Sequence, residues 1–369
     1  MQNHEVLVTS IGGISVGSSI AKALCCSDKI KYIISATDML PLSGGLFLSK
    51  KGYMVPSAKS DNYIEEIIRI CKNNELEAVF PGHEAELKII SDNRKRFEEI
   101  GVIPMVNDYS LISSYHDKLR QASFLNSKGI KCPKTVALCD AEGLISELGF
   151  PVIMKSGSTL TGGGSRTVHI IKDKQDLDFY GRKLQKAGIS PILQEYIGSI
   201  SNEYTIGVLT SKAGKIIDSI ALHRHLVGLS KRETYKKKET VYGTSMGLSQ
   251  GIFEDNPAVQ KAAEDIALKV GSRGPLNIQA RWIDGELVVF ELNPRFSATV
   301  SMRAAVGFND PDTVFRNFVL SEEFGRLNYQ KNVVAMQTFA NVFIPLENYN
   351  HLVAEGSIEN KGDTKWKFW

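Results

Sequence analysis

The sequence predicts a parallel α/β domain followed by an α+β module built on antiparallel sheets. Three observations carry this. Residues 1–107 alternate short apolar runs with helical patterns, which implies βαβ units. Beyond Tyr109 the strand-like runs follow one another with few helices between them. Near residue 285, two apolar runs flank Asp284-Gly285, a dipeptide that favours a tight hairpin turn.

In order, Glu5–Ser10 reads as the first strand, and it runs into Gly12-Gly13-Ile14-Ser15-Val16-Gly17 and a helix through Leu24. Lys31–Ser35 is the second strand. Tyr63, Ile64, Ile67, Ile68 and Cys71 recur at helical spacing, and Ala78-Val79-Phe80 is a third strand that stops at Pro81-Gly82. Ligands of such sheets sit at the carboxyl ends of the strands, here Gly12–Gly17, Asp38 and Gly82-His83-Glu84. Asp117–Ser127 is a helix closed by Gly129. Pro151–Lys155 and Thr167–Ile171 form a hairpin whose tip, Thr161–Ser165, is rich in glycine. Strands follow over Ile192–Tyr196, Glu203–Val208 and Ile216–Leu222. The charge run Lys231–Glu239 reads as a solvated mobile loop. A helix over Ala258–Val270 and strands Leu276–Trp282 and Leu287–Leu292 complete the module, and residues after about 320 offer little chemistry.

Composition narrows the function. With 369 residues the chain is long enough for two or three domains, and a net charge of +3 offers no basic stripe for nucleic acid. No apolar run is long enough to span a bilayer. The N-terminus lacks the order of a signal peptide, and the cysteines (Cys25, Cys26, Cys71, Cys132, Cys139) are odd in number and scattered, so reduced thiols in the cytoplasm are expected.

Three motifs carry chemistry. Strand alternation puts Glu291 and Asn293 on one face, and the Asp284-Gly285 turn folds Gln279 back beside them, with Arg295 just beyond. Converging hard oxygens of this kind suit Mg²⁺ carried with nucleotide phosphates. Lys155 precedes the run Gly162-Gly163-Gly164-Ser165, whose backbone N–H groups can wrap phosphate oxygens, although no Walker A lysine follows. Gln194-Glu195-Tyr196-Ile197 can offer backbone groups to an adenine edge, with Glu203 a few residues on for ribose hydroxyls.

The order of these pieces, from Asp117-Lys118 and Gly129–Thr135 to Arg295, resembles the ATP-grasp superfamily. The resemblance is nearest to its carbamoyl-phosphate-synthetase-like carboxylate–amine ligases and covers residues 1–310. The stretch Pro81-Gly82-His83-Glu84-Ala85-Glu86-Leu87 is similar to one those ligases carry in their opening α/β domain. The resemblance implies a Rossmann-like pre-ATP-grasp domain over 1–108, a small lobe over 109–190, a large lobe over 191–320 and an extension over 321–369. It implies that Lys118 and Lys155 hold ATP phosphates and that Gly162–Ser165 closes over them. Glu195 and Ile197 would meet adenine through their backbone, beside Gln194 and Tyr196, and Glu203 would meet ribose. Gln279, Glu291 and Asn293 would hold one or two Mg²⁺ ions, for which Mn²⁺ can substitute, and Arg295 would act with Lys155 in catalysis. Many members carry an acid where Gln279 stands, which leaves the second metal open.

The implied reaction is ADP-forming ligation of a small-molecule carboxylate to an amine or thiol through an acyl phosphate. Arg303 is a candidate clamp for the carboxylate, and His83, Glu84, His223 and Arg224 are candidates to border the acceptor. A homodimer is the common assembly of this class. One rival is a nicotinamide-dependent oxidoreductase, suggested by Gly12–Gly17 and Asp38, but its glycine pattern is displaced and it leaves Lys118 to Arg295 unexplained. The other is a non-catalytic nucleotide-binding protein of the same fold.

Overall fold

The computed structural model describes residues 2–160, 167–338 and 341–360. The chain opens with β1 (Gln2–Val8), β2 (Ile30–Asp38), β3 (Lys51–Met54), β4 (Ala78–Phe80) and β5 (Ile103–Pro104). These five pair in parallel in the order β3-β2-β1-β4-β5. The order reverses between β1 and β4, so the crevice outside their carboxyl ends is a switch point of the kind that binds ligands. The helix Val16–Leu24 follows β1, and Ser15 and Ser18 cap it reciprocally.

A second sheet is antiparallel, in the order β6-β9-β7-β8, from β6 (Thr135–Ala137), β7 (Val152–Ser156), β8 (His169–Ile171) and β9 (Pro191–Glu195). The pairing of β7 with β8 matches the expected hairpin; its tip, Thr161–Ser165, lies outside the described residues.

The largest antiparallel sheet draws on β10 (Glu203–Thr210), β11 (Ile216–Arg224), β14 (Gly251–Phe253), β15 (Gly274–Ile283), β16 (Glu286–Asn293) and β17 (Val333–Ala335). Its order is β16-β15-β10-β11-β14-β17. The helix Pro257–Val270 covers one face, burying Val259, Ala263 and Ile266 against Ile206, Val208 and Ile278. Each such aliphatic side chain contributes ~1.5–3 kcal/mol when taken out of water. Asp284 and Gly285 both have positive φ, as a two-residue turn between β15 and β16 requires.

One expectation needs correction. The charge run Lys231–Glu239 is not a free loop: β12 (Lys231–Lys237) pairs with β13 (Thr240–Ser245) in a hairpin of its own. Its Glu233 accepts from the backbone N–H of Ile170 and meets His169 Nδ1, both at 3.0 Å, which ties the hairpin to β8. The chain beyond residue 320, where little chemistry was expected, builds structure instead. It supplies β17, and after the helix Leu346–Glu355 it supplies β18 (Ser357–Glu359), which pairs antiparallel with β3. Among the described residues, no helix is long and apolar enough to cross a membrane.

Candidate active site

Side by side, β10, β15 and β16 line up polar side chains through their registers. Glu203 stands opposite Arg281, Thr205 opposite Gln279, Gln279 opposite Glu291, and Asn277 opposite Asn293. Period-2 alternation places all of them on one face. That face floors a cavity of about 350 Å³, within the range of small-molecule sites. The facing wall comes from β7 and β9, with Lys155 and Gln194 through Ile197. A register shift after Gln279 leaves Phe290 as the extra residue of a bulge, and both Phe290 and Glu291 line the cavity.

Lys118 arrives on the helix Lys118–Ser127, whose N-cap Asp117 accepts from the N–H groups of Leu119 and Arg120. One turn on, Gln121 fixes that helix to the outer edge of β16. Its Nε2 donates to the Leu292 carbonyl at 2.8 Å, and its Oε1 accepts from the Leu292 N–H at 3.2 Å. An amide side chain thus pairs with an edge strand as another strand would, and Lys118 is aimed at Glu291, 3.2 Å away.

Burial and charge compete here. Burial opposes ionisation of Glu291, but Lys118, Lys155 and Arg295 outweigh it and hold the carboxyl at about 2. Burial pushes Lys155 down to about 8, and the neighbouring Lys118 adds to this while Glu291 resists it. Lys155 Nζ donates to Gln194 Oε1 at 2.8 Å. Burial opposes the charge of Arg295 too, yet Glu84 and Tyr115 hold it above its ordinary value. Beneath the floor, Asn293 is fully buried, and neither polar atom of its amide has a hydrogen-bond partner among the described residues. An unpaired buried amide costs ~1–3 kcal/mol, so its retention points to a ligand that completes it. One carboxylate and two amide oxygens, from Glu291, Asn293 and Gln279, fit the hard-oxygen preference of Mg²⁺. No cluster of three His, Cys, Asp or Glu side chains that could hold a metal occurs among the described residues.

Glu203 lines the cavity with both oxygens engaged, by Arg224 Nη1 at 2.7 Å and Arg281 Nη2 at 3.2 Å. A carboxylate has about four lone-pair sites, so capacity for hydroxyl donors remains. Arg281 also donates to Tyr196 Oη at 2.7 Å and to the Ile197 carbonyl, and its guanidinium lies 4.1 Å from the centre of the Tyr196 ring. It therefore straps the end of β9 to β15 at one end of the cavity. Alternation from Gln279 could have identified both Arg281 and Asn277, since all three share a face of β15. Gln121 carried no comparable signal.

The expected site residues divide. Lys118, Lys155, Gln194, Glu195, Tyr196, Ile197, Glu203, Gln279, Glu291 and Arg295 meet around one cavity, and Glu84 and Arg224 join them. Four others do not line it, Asn293 being buried beneath its floor. Arg303 is buried behind Asn277, bound to Asp310 and to Asn277 Oδ1, each at 2.8 Å, so it is a structural ion pair and not a clamp. His83 caps the helix Glu84–Asp92 by accepting from the Ala85 N–H. His223 is held between Glu254 and the Ser201 carbonyl, with its ring stacked on Tyr204. Gly162–Ser165 lie outside the described residues.

Comparison with known proteins agrees with this geometry. Residues 6–106 match the family described as PylC-like, N-terminal domain, and residues 192–341 match ATP-grasp in the biosynthetic pathway with Ter operon. The chain belongs to the ATP-grasp superfamily. It is 25% identical over 358 residues to the carbamoyl phosphate synthase large chain of Clostridium botulinum, covering 94% of this chain and 32% of that one. It thus spans about a third of the length of the curated relatives it matches. Among solved structures, the fold is similar to an N5-carboxyaminoimidazole ribonucleotide synthetase in its ADP complex, at a TM-score of 0.63, with 15% identity over 96% of this chain and 84% of that one. A Campylobacter jejuni biotin carboxylase complex gives a TM-score of 0.61, with 15% identity over 85% of this ATP-grasp chain and 70% of that one.

Proposed function

We propose that this ATP-grasp protein is an ADP-forming ligase that activates a small-molecule carboxylate as an acyl phosphate and joins it to an amine. The observation that carries the reading is the set of three cations, Lys118, Lys155 and Arg295, gathered about Glu291 on the floor of one cavity, above an uncompleted Asn293 amide. Phosphoryl transfer asks mainly for positioning and charge neutralisation, and this cluster supplies both. On this reading the adenine lies against Tyr196 and Ile197, the ribose near Glu203, and the phosphates between Lys118 and Lys155. Glu291, Asn293 and Gln279 would hold Mg²⁺, which screens the phosphate charge when bound.

The substrate carboxylate attacks the γ-phosphorus of ATP; a P–O bond forms and the bond to ADP breaks. Lys155 and Lys118 hold the transferring group in place, and Arg295 offers its guanidinium to the charge that develops on the acyl phosphate. The amine then attacks the carbonyl carbon and inorganic phosphate departs. The domain limits and the roles of Gly162–Ser165 belong to the same proposal, as does a homodimeric, cytoplasmic enzyme acting on small molecules.

Mg-ATP-dependent phosphate release against the twenty proteinogenic amino acids and small carboxylates, with mass spectrometry of the products, tests it. A product equal to two substrates less water, formed with ADP and phosphate, is expected. Glu291→Gln should lower that rate about 100-fold or more. Wild-type turnover in that variant, or ATP binding without any product, would refute the reading.

A further inference from the structure

The ligation step needs a neutral amine, whereas most amines are protonated at neutral pH, so something must receive the ammonium and take its proton. The described cavity wall contains four carboxylates: Glu84, Glu195, Glu203 and Glu291. Glu291 is paired with Lys118 and flanked by two further cations, which makes it a weak base. Glu203 is shared by two arginines. Glu195 stands at the end of β9, away from the phosphate lysines, and accepts from the Lys134 N–H. Glu84 is different. Its Oε1 accepts from Arg295 Nη2 at 2.8 Å, and no bond to its Oε2 is made among the described residues.

Its location is independent support. Glu84 begins the helix that follows β4, and Val16 begins the helix that follows β1. These are the two loops at the switch point of the parallel sheet, and both residues line the same cavity as the phosphate lysines. The two loops are locked together. A side chain at Gly82 would collide with the Thr9 carbonyl and with Gly17. Thr9 Oγ1 accepts from the Gly82 N–H at 3.1 Å and donates to the buried Glu86 at 2.6 Å, while Tyr63 Oη donates to the other Glu86 oxygen at 2.8 Å. Glu86 thus pins the first turn of the helix from beneath, and Glu84 projects from a fixed base toward Arg295.

We propose that Glu84, at the switch-point crevice, receives the attacking amine as its ammonium and acts as the general base of the ligation step. The inference rests on the ligase reading above. One ammonium proton passes to Glu84 Oε2. The freed nitrogen lone pair attacks the acyl-phosphate carbon, and the C–N bond forms. The C–O bond to phosphorus then breaks, with its electron pair leaving on inorganic phosphate. The second nitrogen proton is lost to that phosphate or to solvent. The bond from Arg295 holds the carboxylate beside the activated carbonyl, and the acceptor class it selects is a cationic primary amine.

Hydroxylamine separates this role from a merely structural one, because it is neutral at pH 7 and captures acyl phosphates without a base. The wild type, Glu84→Gln and Glu84→Asp are compared with Mg-ATP and the pooled amino acids, with and without hydroxylamine, reading hydroxamate and amide products by mass spectrometry. Glu84→Gln, which keeps an acceptor for Arg295, should lower amide formation by about 100-fold or more and hydroxamate formation by less than about tenfold; Glu84→Asp should recover part of the amide yield. A parallel fall of both products would mean that Glu84 acts only by positioning Arg295, and would overturn the proposal, as would unchanged amide formation. No ADP from the wild type with either nucleophile would overturn the ligase reading and this inference with it.

Discussion

Lys155 offers the sharpest test of how the site is built, because the charge that would serve the nucleotide costs stability in its absence. The perturbation is Lys155→Met, which keeps the length of the side chain and removes the ammonium. Burial and Lys118 lower the folded-state value of Lys155 from 10.5 to about 8. A base lowered in this way is penalised wherever the folded protein must carry its proton. The penalty is fully present below pH 8, shrinks between pH 8 and 10.5, and is gone above that, where both states are neutral. A drop of that size corresponds to ~3 kcal/mol at pH 7. Against it stands the bond from Lys155 to Gln194, whose loss leaves a buried acceptor short of a donor and costs ~1–3 kcal/mol.

The net effect at pH 7 is a variant about as stable as wild type or more so, by up to ~2 kcal/mol. The pH dependence is the stronger statement: the advantage of Lys155→Met should shrink by ~3 kcal/mol between pH 7 and 10.5, since wild type alone is relieved as the lysine deprotonates. Urea midpoints of the nucleotide-free proteins across that range measure it. MgADP should raise the midpoint of wild type and not that of the variant. A gap that stays constant with pH, or a variant destabilised by several kcal/mol at pH 7, would refute the reasoning.

Two further perturbations separate positioning from structure. Gln121→Ala strips Leu292 of its partners at the edge of β16 and frees the helix that aims Lys118. It should cost ~2 kcal/mol and raise the KM for ATP about tenfold with a smaller effect on kcat, which steady-state kinetics on the folded variant would resolve. Arg303→Met leaves Asp310 buried without its partner and should cost ~3–5 kcal/mol, while the folded fraction binds ATP within about twofold of wild type. Adding Asp310→Asn should restore part of that stability. A large loss of substrate affinity in a well-folded Arg303→Met protein would return that arginine to the site.

The floor of the cavity was legible in part. Once Asp284-Gly285 is read as the turn, plain pairing sets Gln279 opposite Phe290, and only the bulge at Phe290, which no local pattern announces, brings it opposite Glu291. Alternation along each strand needs no such help. The same logic extended two residues either way reaches Asn277 and Arg281. The hairpin β12–β13 was misread for a physical reason. Composition records that lysines prefer water, but exposed hairpins also carry lysines, and what holds this one is a set of contacts distant in sequence, from Glu233 to β8, from Lys237 to the Phe150 carbonyl and from Gly243 to the Tyr196 hydroxyl. The strands β17 and β18 are three residues each and form only against β14 and β3, so no local pattern announces them. Gln121 was invisible for a related reason, since its function depends on which strand edge the helix meets.

The stretch Pro81–Leu87 marks where sequence reading gives way to geometry. Glu84 and Glu86 are the same residue type two positions apart, and nothing in composition tells them apart. On a helix, residues two apart point to different sides. One side is the underside of β1, where Thr9 and Tyr63 donate to Glu86 and burial raises its carboxyl above the ordinary range. The other side is the cavity, where Glu84 meets a single arginine and keeps an oxygen to spare. Moving the helix start by one residue would put His83 or Ala85 in the place of Glu84 and Ala85 or Leu87 in the place of Glu86, so neither carboxylate would keep its partners. The tight approach at Gly82 prevents that slip, since any side chain there would drive the loop away from Thr9 and Gly17. Precision at the proposed acceptor end therefore comes from the buried acid, and its loss should disturb the second half of the reaction before the first.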